Sequence, residues 1–163
     1  MKTPRDRMMH EALRWIPYGL YVIGVRGKND SEMNALVASW VMQCSFDPPL
    51  IAVAMRNPSH SYSLLKAGKV FSVNLLDKSE RRILRTLEKP SLARGEKLGK
   101  VGHVEEDTGA PILRRAFAYL ECKVRKVYEP GDHALLIGEV VHAGVRGKGE
   151  SLTCADLKWH YGG

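Results

Sequence analysis

Asn57, Pro58, Ser59, His60 and Ser61 follow directly on a short, continuously apolar run, Leu50 to Met55. Asn57 suits a helix N-cap, Pro58 the first helical position and Gly68 the C-terminal cap, which predicts a helix from Pro58 to about Ala67. Free backbone N–H groups, the serine hydroxyls and the positive end of the helix dipole converge on its first turn, a set that suits a phosphate. The same serines also serve a plain turn and cap, and the local pattern does not choose between the two. The six histidines include no H-E-x-x-H pair, and Cys44, Cys122 and Cys154 are widely spaced with no Cys-x-x-Cys. No metal site, disulfide framework or Ser-His-Asp set is therefore expected, and the cysteines read as reduced thiols. His133 follows the turn Glu129-Pro130-Gly131-Asp132 at the start of a strand, an ordinary place for a polar residue; His103 and His142 read as surface residues. Gly144, Gly147 and Gly149 lack G-x-G-x-x-G spacing and read as a flexible hairpin tip.

These groups need elements to hold them. Asp47-Pro48-Pro49 breaks the chain, because two successive prolines fit neither a helix interior nor a central strand. The run before it, Asn34 to Ser45, alternates weakly and has no plainly polar face, so both faces should touch protein or ligand. Tyr18 to Val25 reads as a strand, turning at Gly27-Lys28-Asn29-Asp30 into another that starts near Met33. Met8 to Trp15 reads as a short leading helix. Val70 to Leu76 is a further strand, and Asp77 or Ser79 caps a helix to about Glu88. That helix sets Leu76, Ile83, Leu84 and Leu87 against a face of Arg81, Arg82 and Arg85, which reads as solvated. Pro90 to Gly99, with Arg94 and Lys97, reads as a polar loop, and Val101 to Glu106 as a strand. Long strands follow at Ala116–Val127 and His133–Val145, and the chain closes through Leu152 to Trp159.

Recurrent strands and hairpin turns with few helices predict a mainly β single domain over 1–163, a Greek-key or closed barrel with peripheral helices. No dinucleotide fingerprint is present, so any nicotinamide must be held without a Rossmann domain. The formal charge of +7 admits anionic partners. The basic residues are dispersed, and no aromatic stacking set accompanies the arginines, so nucleic acid is not an expected partner. The apolar runs are too short for a membrane span, and no apolar signal core follows the basic N-terminus, which makes the cytoplasm the expected location.

Asn34-Ala35-Leu36-Val37-Ala38-Ser39-Trp40 and Cys44-Ser45-Phe46-Asp47-Pro48-Pro49-Leu50 together resemble the opening motif of the flavin reductase-like, FMN-binding split-barrel family, which includes flavoredoxin-like proteins. Val70-Phe71-Ser72-Val73-Asn74-Leu75-Leu76 agrees, as does Gly131-Asp132-His133 running into Ile137-Gly138-Glu139-Val140. The resemblance covers roughly Ala12 to Tyr161 and implies an FMN-binding split β-barrel. It implies that Asn34 and Trp40 lie by the flavin and that backbone groups of Val37, Ala38, Ser39, Cys44 and Ser45 bond its ring and ribityl chain. Ser61 would lie near the phosphate, with Ser59 and Arg56 as weaker candidates, and Lys97 would reach the cofactor from its loop. His133 would stand near the flavin and the nicotinamide, and Trp159 close to the ring. Val37 stands where the family often has Thr, so one hydroxyl contact is missing and a looser flavin is expected.

The implied activity is hydride transfer from NADH or NADPH to FMN, governed by stacking geometry, with His133 positioning rather than donating a proton. The family implies a homodimer with flavin sites near its interface. One alternative is an electron-transfer flavoprotein reduced by a protein partner such as a ferredoxin or rubredoxin. The other is a non-enzymatic binder of phosphate-bearing ligands or nucleic acid. The closing residues leave little room for a second cofactor domain, so no fused rubredoxin is expected.

Overall fold

The structure is a computed structural model and describes residues 3–29, 31–89 and 94–159. Helix α1 spans Pro4–Arg14, and strands β1 Tyr21–Arg26, β2 Met33–Ala38, β3 Val41–Ser45 and β4 Leu50–Arg56 follow. Next come α2 His60–Gly68, β5 Val70–Leu75, a 3-10 turn at Lys78–Glu80, α3 Arg81–Glu88 and α4 Arg94–Val101. Strands β6 His103–Val104, β7 Ile112–Leu113, β8 Ala118–Tyr128 and β9 His133–Val145 lead to the short α5, Cys154–Leu157. No helix of the described residues is long and apolar enough to cross a membrane.

Seven strands form one antiparallel sheet in the order β2-β1-β5-β8-β9-β4-β3. The two edge strands, β2 and β3, are consecutive in the chain, joined only by Ser39 and Trp40. Two residues reach about 7 Å at most, so the sheet must curl until its edges meet. The Ala54 amide on β4 donates to the Trp40 carbonyl at 2.9 Å and fastens the join. This is the split barrel expected from the sequence. It corrects the reading of Asn34 to Ser45 as one run: the curl needs a break, and the chain breaks at Ser39-Trp40.

β1 is buried on both faces. Ile23 and Val25 face an inner core with Val53, Met55, Phe71 and Leu136. Val22 faces an outer core with Leu76, Leu84, Leu87, Leu113 and Leu152. The period-two alternation of the strand thus serves two cores at once. Each fully buried side chain of this size contributes about 1.5–3 kcal/mol. Buried polar groups on the sheet are matched: Asn74 Nδ2 donates to the Val22 carbonyl (3.0 Å) and to Ser72 Oγ (2.9 Å), and Asn74 Oδ1 accepts from the Leu113 amide at 2.8 Å.

Several local expectations change. α1 begins earlier than Met8 because Thr3 and Asp6 form a reciprocal capping box ahead of it. α2 starts at His60 with Ser59 as N-cap, not at Pro58 with Asn57. Asn57 is engaged elsewhere: its amide donates to the Asp132 carbonyl (2.9 Å) and its side chain to Glu129 (3.3 Å). Gly68 does not take the left-handed cap, which falls on Lys69 (φ 58°); a Cβ on Gly68 would instead lie 2.0 Å from the Arg26 carbonyl oxygen. Within the expected loop from Pro90 to Gly99, residues 94–99 belong to α4, whose buried Leu98 packs with Leu84 and Leu87; residues 90–93 lie outside the described residues. Val101 ends that helix, leaving only His103–Val104 as strand. Gly144 sits inside β9 rather than at a flexible tip, where a Cβ would come within 2.3 Å of the Tyr119 ring.

Candidate functional site

A groove of about 300 Å³ opens where the β2 edge meets the end of β4 and the start of α2. β2 contributes Asn34, Val37 and Ala38, the edge join Ser39, β4 Arg56, and the first turn of α2 Ser59 and Ser61. Trp159 closes it from the C-terminal segment. The barrel closure therefore brings together eight of the residues expected to hold a cofactor.

Asn34 and Ser61 meet across the floor: Asn34 Nδ2 donates to Ser61 Oγ at 2.9 Å, with both side chains buried. Asn34 Oδ1 and Ser39 Oγ have no hydrogen-bond partner among the described residues, although the two residues are only 7% and 6% exposed. Unmatched buried polar atoms cost about 1–3 kcal/mol each and are rare in native proteins. Two beside one groove fit the donor and acceptor edge of a polar heterocycle, and the mix of apolar walls with few polar groups is that of a ligand site.

Ser59 Oγ accepts from the Tyr62 amide at 3.2 Å, so its hydroxyl serves the cap. The first-turn amides of α2 and the helix dipole remain at the groove's edge, beside Arg56. This end is fastened from outside. Glu129 accepts from the Tyr62 hydroxyl and from Asn57 Nδ2, and Lys66 lies 3.5 Å away. Burial and the neighbouring Glu129 carboxylate push the Tyr62 hydroxyl up from its ordinary pKa. The same clasp fixes the turn before His133, because Arg56 and His133 are register partners on β4 and β9.

Trp40 faces a second cavity of about 340 Å³, which shares Ser39 and Ala54 with the first. Its ring centroid is 4.7 Å from that of His133 and 6.2 Å from that of Tyr18. His133 Nδ1 lies 2.8 Å from Asp132 Oδ1, an orienting contact that also holds the Asp132 carboxyl below its ordinary pKa. Trp40 and His133, far apart in sequence, thus form one aromatic wall.

Four expected residues line neither cavity: His133, which reaches the second only through its contact with Trp40, and Lys97, Cys44 and Ser45. Lys97 lies on α4 beside Glu88, a groove residue whose carboxyl is raised by burial and partly offset by the Lys97 charge. Cys44 and Ser45 lie on the β3 edge, Cys44 exposed. Glu88, Tyr18 and Cys154 were not singled out as site residues. Cys154 lines the groove and burial raises its thiol pKa, so it stands there as a neutral apolar group. Nothing in the local sequence marks these three; only the closure of the barrel does.

His142 is more than a surface residue. Its ring nitrogens lie 3.4 Å from Glu106 and 3.3 Å from Asp107, and its ligating atoms with those of Glu106 and Glu121 fall within 4.8 Å of one another. The cluster is internally matched. Glu121 accepts from the Thr108 amide (2.8 Å) and hydroxyl (2.5 Å), and Arg146 neutralises Glu106 at 3.2 Å.

A curled antiparallel barrel with a part-polar groove at its edge join is the architecture of a known class. Residues 13–162 match the family described as "Flavin reductase like domain", and the chain belongs to that family. It is 33% identical over 149 residues to diflavin flavoprotein A 1 of Synechocystis, covering 91% of this chain and 26% of that protein. To the high molecular weight rubredoxin of Moorella thermoacetica it is 29% identical over 147 residues, covering 89% of this chain and 63% of that protein. The chain therefore spans about a quarter of the first of these relatives and under two thirds of the second. The solved NADH:FAD oxidoreductase of Streptomyces globisporus C-1027, in complex with NAD and FAD fragments, superposes with a TM-score of 0.79 at 26% identity, covering 94% of this chain and 90% of that one.

Proposed function

We propose that the chain binds FMN in the groove between Asn34 and Trp159 and acts in the cytoplasm as an NAD(P)H:flavin oxidoreductase. The observation that carries this reading is the pair of buried, unmatched polar atoms, Asn34 Oδ1 and Ser39 Oγ, beside a groove in a flavin reductase-like barrel. A bound flavin supplies the capacity to accept a hydride from a nicotinamide. The chain's own residues bind, orient and exclude water.

Asn34 and Ser39, with the backbone of Val37 and Ala38, address the polar edge of the ring. The first turn of α2, Ser61 and Arg56 address the phosphate, with Ser59 holding the turn in shape. Lys97 offsets the negative charge of Glu88 at the rim, which keeps that carboxylate from repelling an anionic ligand. Trp40 and His133 orient the nicotinamide over the ring, and Trp159 covers it.

A second copy of the chain completes the surface. β3 is exposed along most of its length, with Met42 62% exposed and Phe46, just past its end, 91% exposed, and α1 has no buried residue. An unpaired apolar edge of this kind is a pairing surface. In such a homodimer Cys44 and Ser45 meet the flavin across the interface.

A second reading, an electron carrier serving a protein partner, is favoured by the relative named as a rubredoxin, which is longer than this chain. The test is a visible spectrum of the purified protein with FMN, followed by anaerobic NADH. Prompt bleaching is the reductase result. A flavin spectrum that stays coloured with NADH but bleaches with a reduced protein leaves the carrier. No flavin binding removes the site altogether.

A further inference from the structure

Arg82, Arg85 and Lys89 on α3, Lys100 on α4 and Arg115 between β7 and β8 converge around a cavity of about 660 Å³. All five are exposed. They come from three separate segments, so the cluster exists only in the folded chain. We propose that this cleft is the docking surface for an acidic electron-transfer protein that accepts the electrons gathered in the neighbouring groove. The proposal rests on the flavin reading of that groove.

Three observations support it. First, the charge is uncompensated. Glu80 is the single carboxylate among the described residues lining the cleft, and it is bound to Arg115, whose Nε donates to it at 2.9 Å. Arg82, Arg85, Lys89 and Lys100 have no carboxylate partner among the described residues. Elsewhere Arg26 pairs with Glu105, Lys78 with Glu150, Arg125 with Glu139 and Arg146 with Glu106. Like charges gathered in a concavity repel one another and focus a positive field, which is balanced by an anionic partner.

Second, the cleft adjoins the groove. Glu88 lines the groove and the next residue, Lys89, lines the cleft, so the end of α3 divides the two. Third, the chemistry selects the partner. Among the described residues no aromatic side chain lines the cleft to stack a base, which disfavours single-stranded nucleic acid. One inorganic phosphate would leave most of five spread cations unmatched, whereas an acidic protein face meets them together. The electron count closes with a one-electron acceptor: one NAD(P)H gives NAD(P)⁺, one proton and two electrons, and two iron–sulfur protein molecules each take one.

The test uses the full FMN-loaded chain and an acidic rubredoxin as probe, with binding measured by calorimetry at about 20 mM and about 300 mM salt, on either side of the physiological screening range. Wild type binds at low salt and weakens steeply at high salt. The double variant Arg82→Glu/Arg85→Glu, and separately Lys100→Glu, weaken low-salt binding at least about tenfold and flatten the salt dependence. Reduction of ferricyanide by NADH stays within about twofold of wild type in each variant, which shows that fold and groove are intact. Equal binding of rubredoxin by wild type and variants overturns the proposal. So does tighter binding of duplex DNA or ADP than of rubredoxin, lost in the same variants. Failure of NADH to reduce ferricyanide in wild type while salt-sensitive binding persists removes the reductase reading and leaves the docking surface.

Discussion

Replacing Asn34 by alanine separates the cost of holding the fold from the benefit of holding a ligand. In the ligand-free protein the substitution removes one buried hydrogen bond, Asn34 Nδ2 to Ser61 Oγ at 2.9 Å, a net loss of about 0.5–1.5 kcal/mol. It also removes the unmatched Oδ1, whose burial costs about 1–3 kcal/mol. The substitution also leaves Ser61 Oγ buried without that partner, which costs about 1–3 kcal/mol; the effects oppose, so stability should fall by no more than about 2 kcal/mol, a shift of about 4–8 °C in melting temperature at this chain length. With flavin bound, the variant lacks the contact that satisfies Oδ1 and loses about 1 kcal/mol or more of binding, a five-fold or larger rise in Kd at about 1.4 kcal/mol per decade. Ser61→Ala behaves differently. It leaves the Asn34 Nδ2 donor buried and unpaired, costs about 1–3 kcal/mol of stability, and is partly rescued in the Asn34→Ala/Ser61→Ala double variant. Thermal melts and quenching of flavin fluorescence measure both quantities on the same samples. A fall of more than about 2 kcal/mol in Asn34→Ala stability, or an unchanged flavin Kd, refutes the reasoning.

Other perturbations probe the remaining parts. His133→Ala should slow flavin reduction and raise the nicotinamide KM while leaving measurable turnover if, as proposed, the residue orients rather than donates a proton; stopped-flow traces showing no reduction at all with FMN still bound contradict this. Asp77 accepts from the Ser79 amide (2.9 Å) and hydroxyl (2.7 Å) and from the Glu150 amide (2.8 Å), which holds its carboxyl at about 2. A carboxyl depressed on folding stabilises the folded chain above its unfolded pKa of about 4 and loses that contribution as pH falls toward about 2. Asp77→Asn should therefore be less stable than wild type at neutral pH, with the gap closing through that window in acid denaturation curves. Met42→Lys with Phe46→Lys places charge on the exposed β3 edge and should give a monomer in sedimentation equilibrium, with weakened flavin binding if the groove is completed by a second copy. A pair of lysines that leaves the mass unchanged argues against that edge as the interface.

The strands were readable wherever apolar runs meet strong turn chemistry. Leu50 to Met55 between Asp47-Pro48-Pro49 and Asn57-Pro58, and His133 to Val145 after Glu129-Pro130-Gly131-Asp132, stand in the structure where the sequence puts them. The hairpin of β1 and β2 was readable for the same reason, since proline, glycine and alternating side chains act within a few residues. The arginine face of α3 and its apolar counterface were equally plain. By contrast α4 was missed, because Gly95 and Gly99 mask a helix whose stability comes from Leu98 seated in the outer core. Asn57 was taken for a cap because its type suits one, and lost that role to a long-range clasp with Glu129 and Asp132.

The amino-acid sequence by itself determined the β-rich domain, its turns, the family motifs and the residue types a flavin needs. The tertiary structure alone decided which of those residues share a wall. Ser39 and Trp40 break one apolar run into two edge strands, and the curl this forces sets Trp40 against His133, Asn34 against Ser61, and Glu88 and Cys154 into the groove. It also gathers five cations from three segments into one cleft. Local propensity reaches a few residues along the chain, whereas these meetings depend on the closure of a sheet whose register is set by all seven strands together.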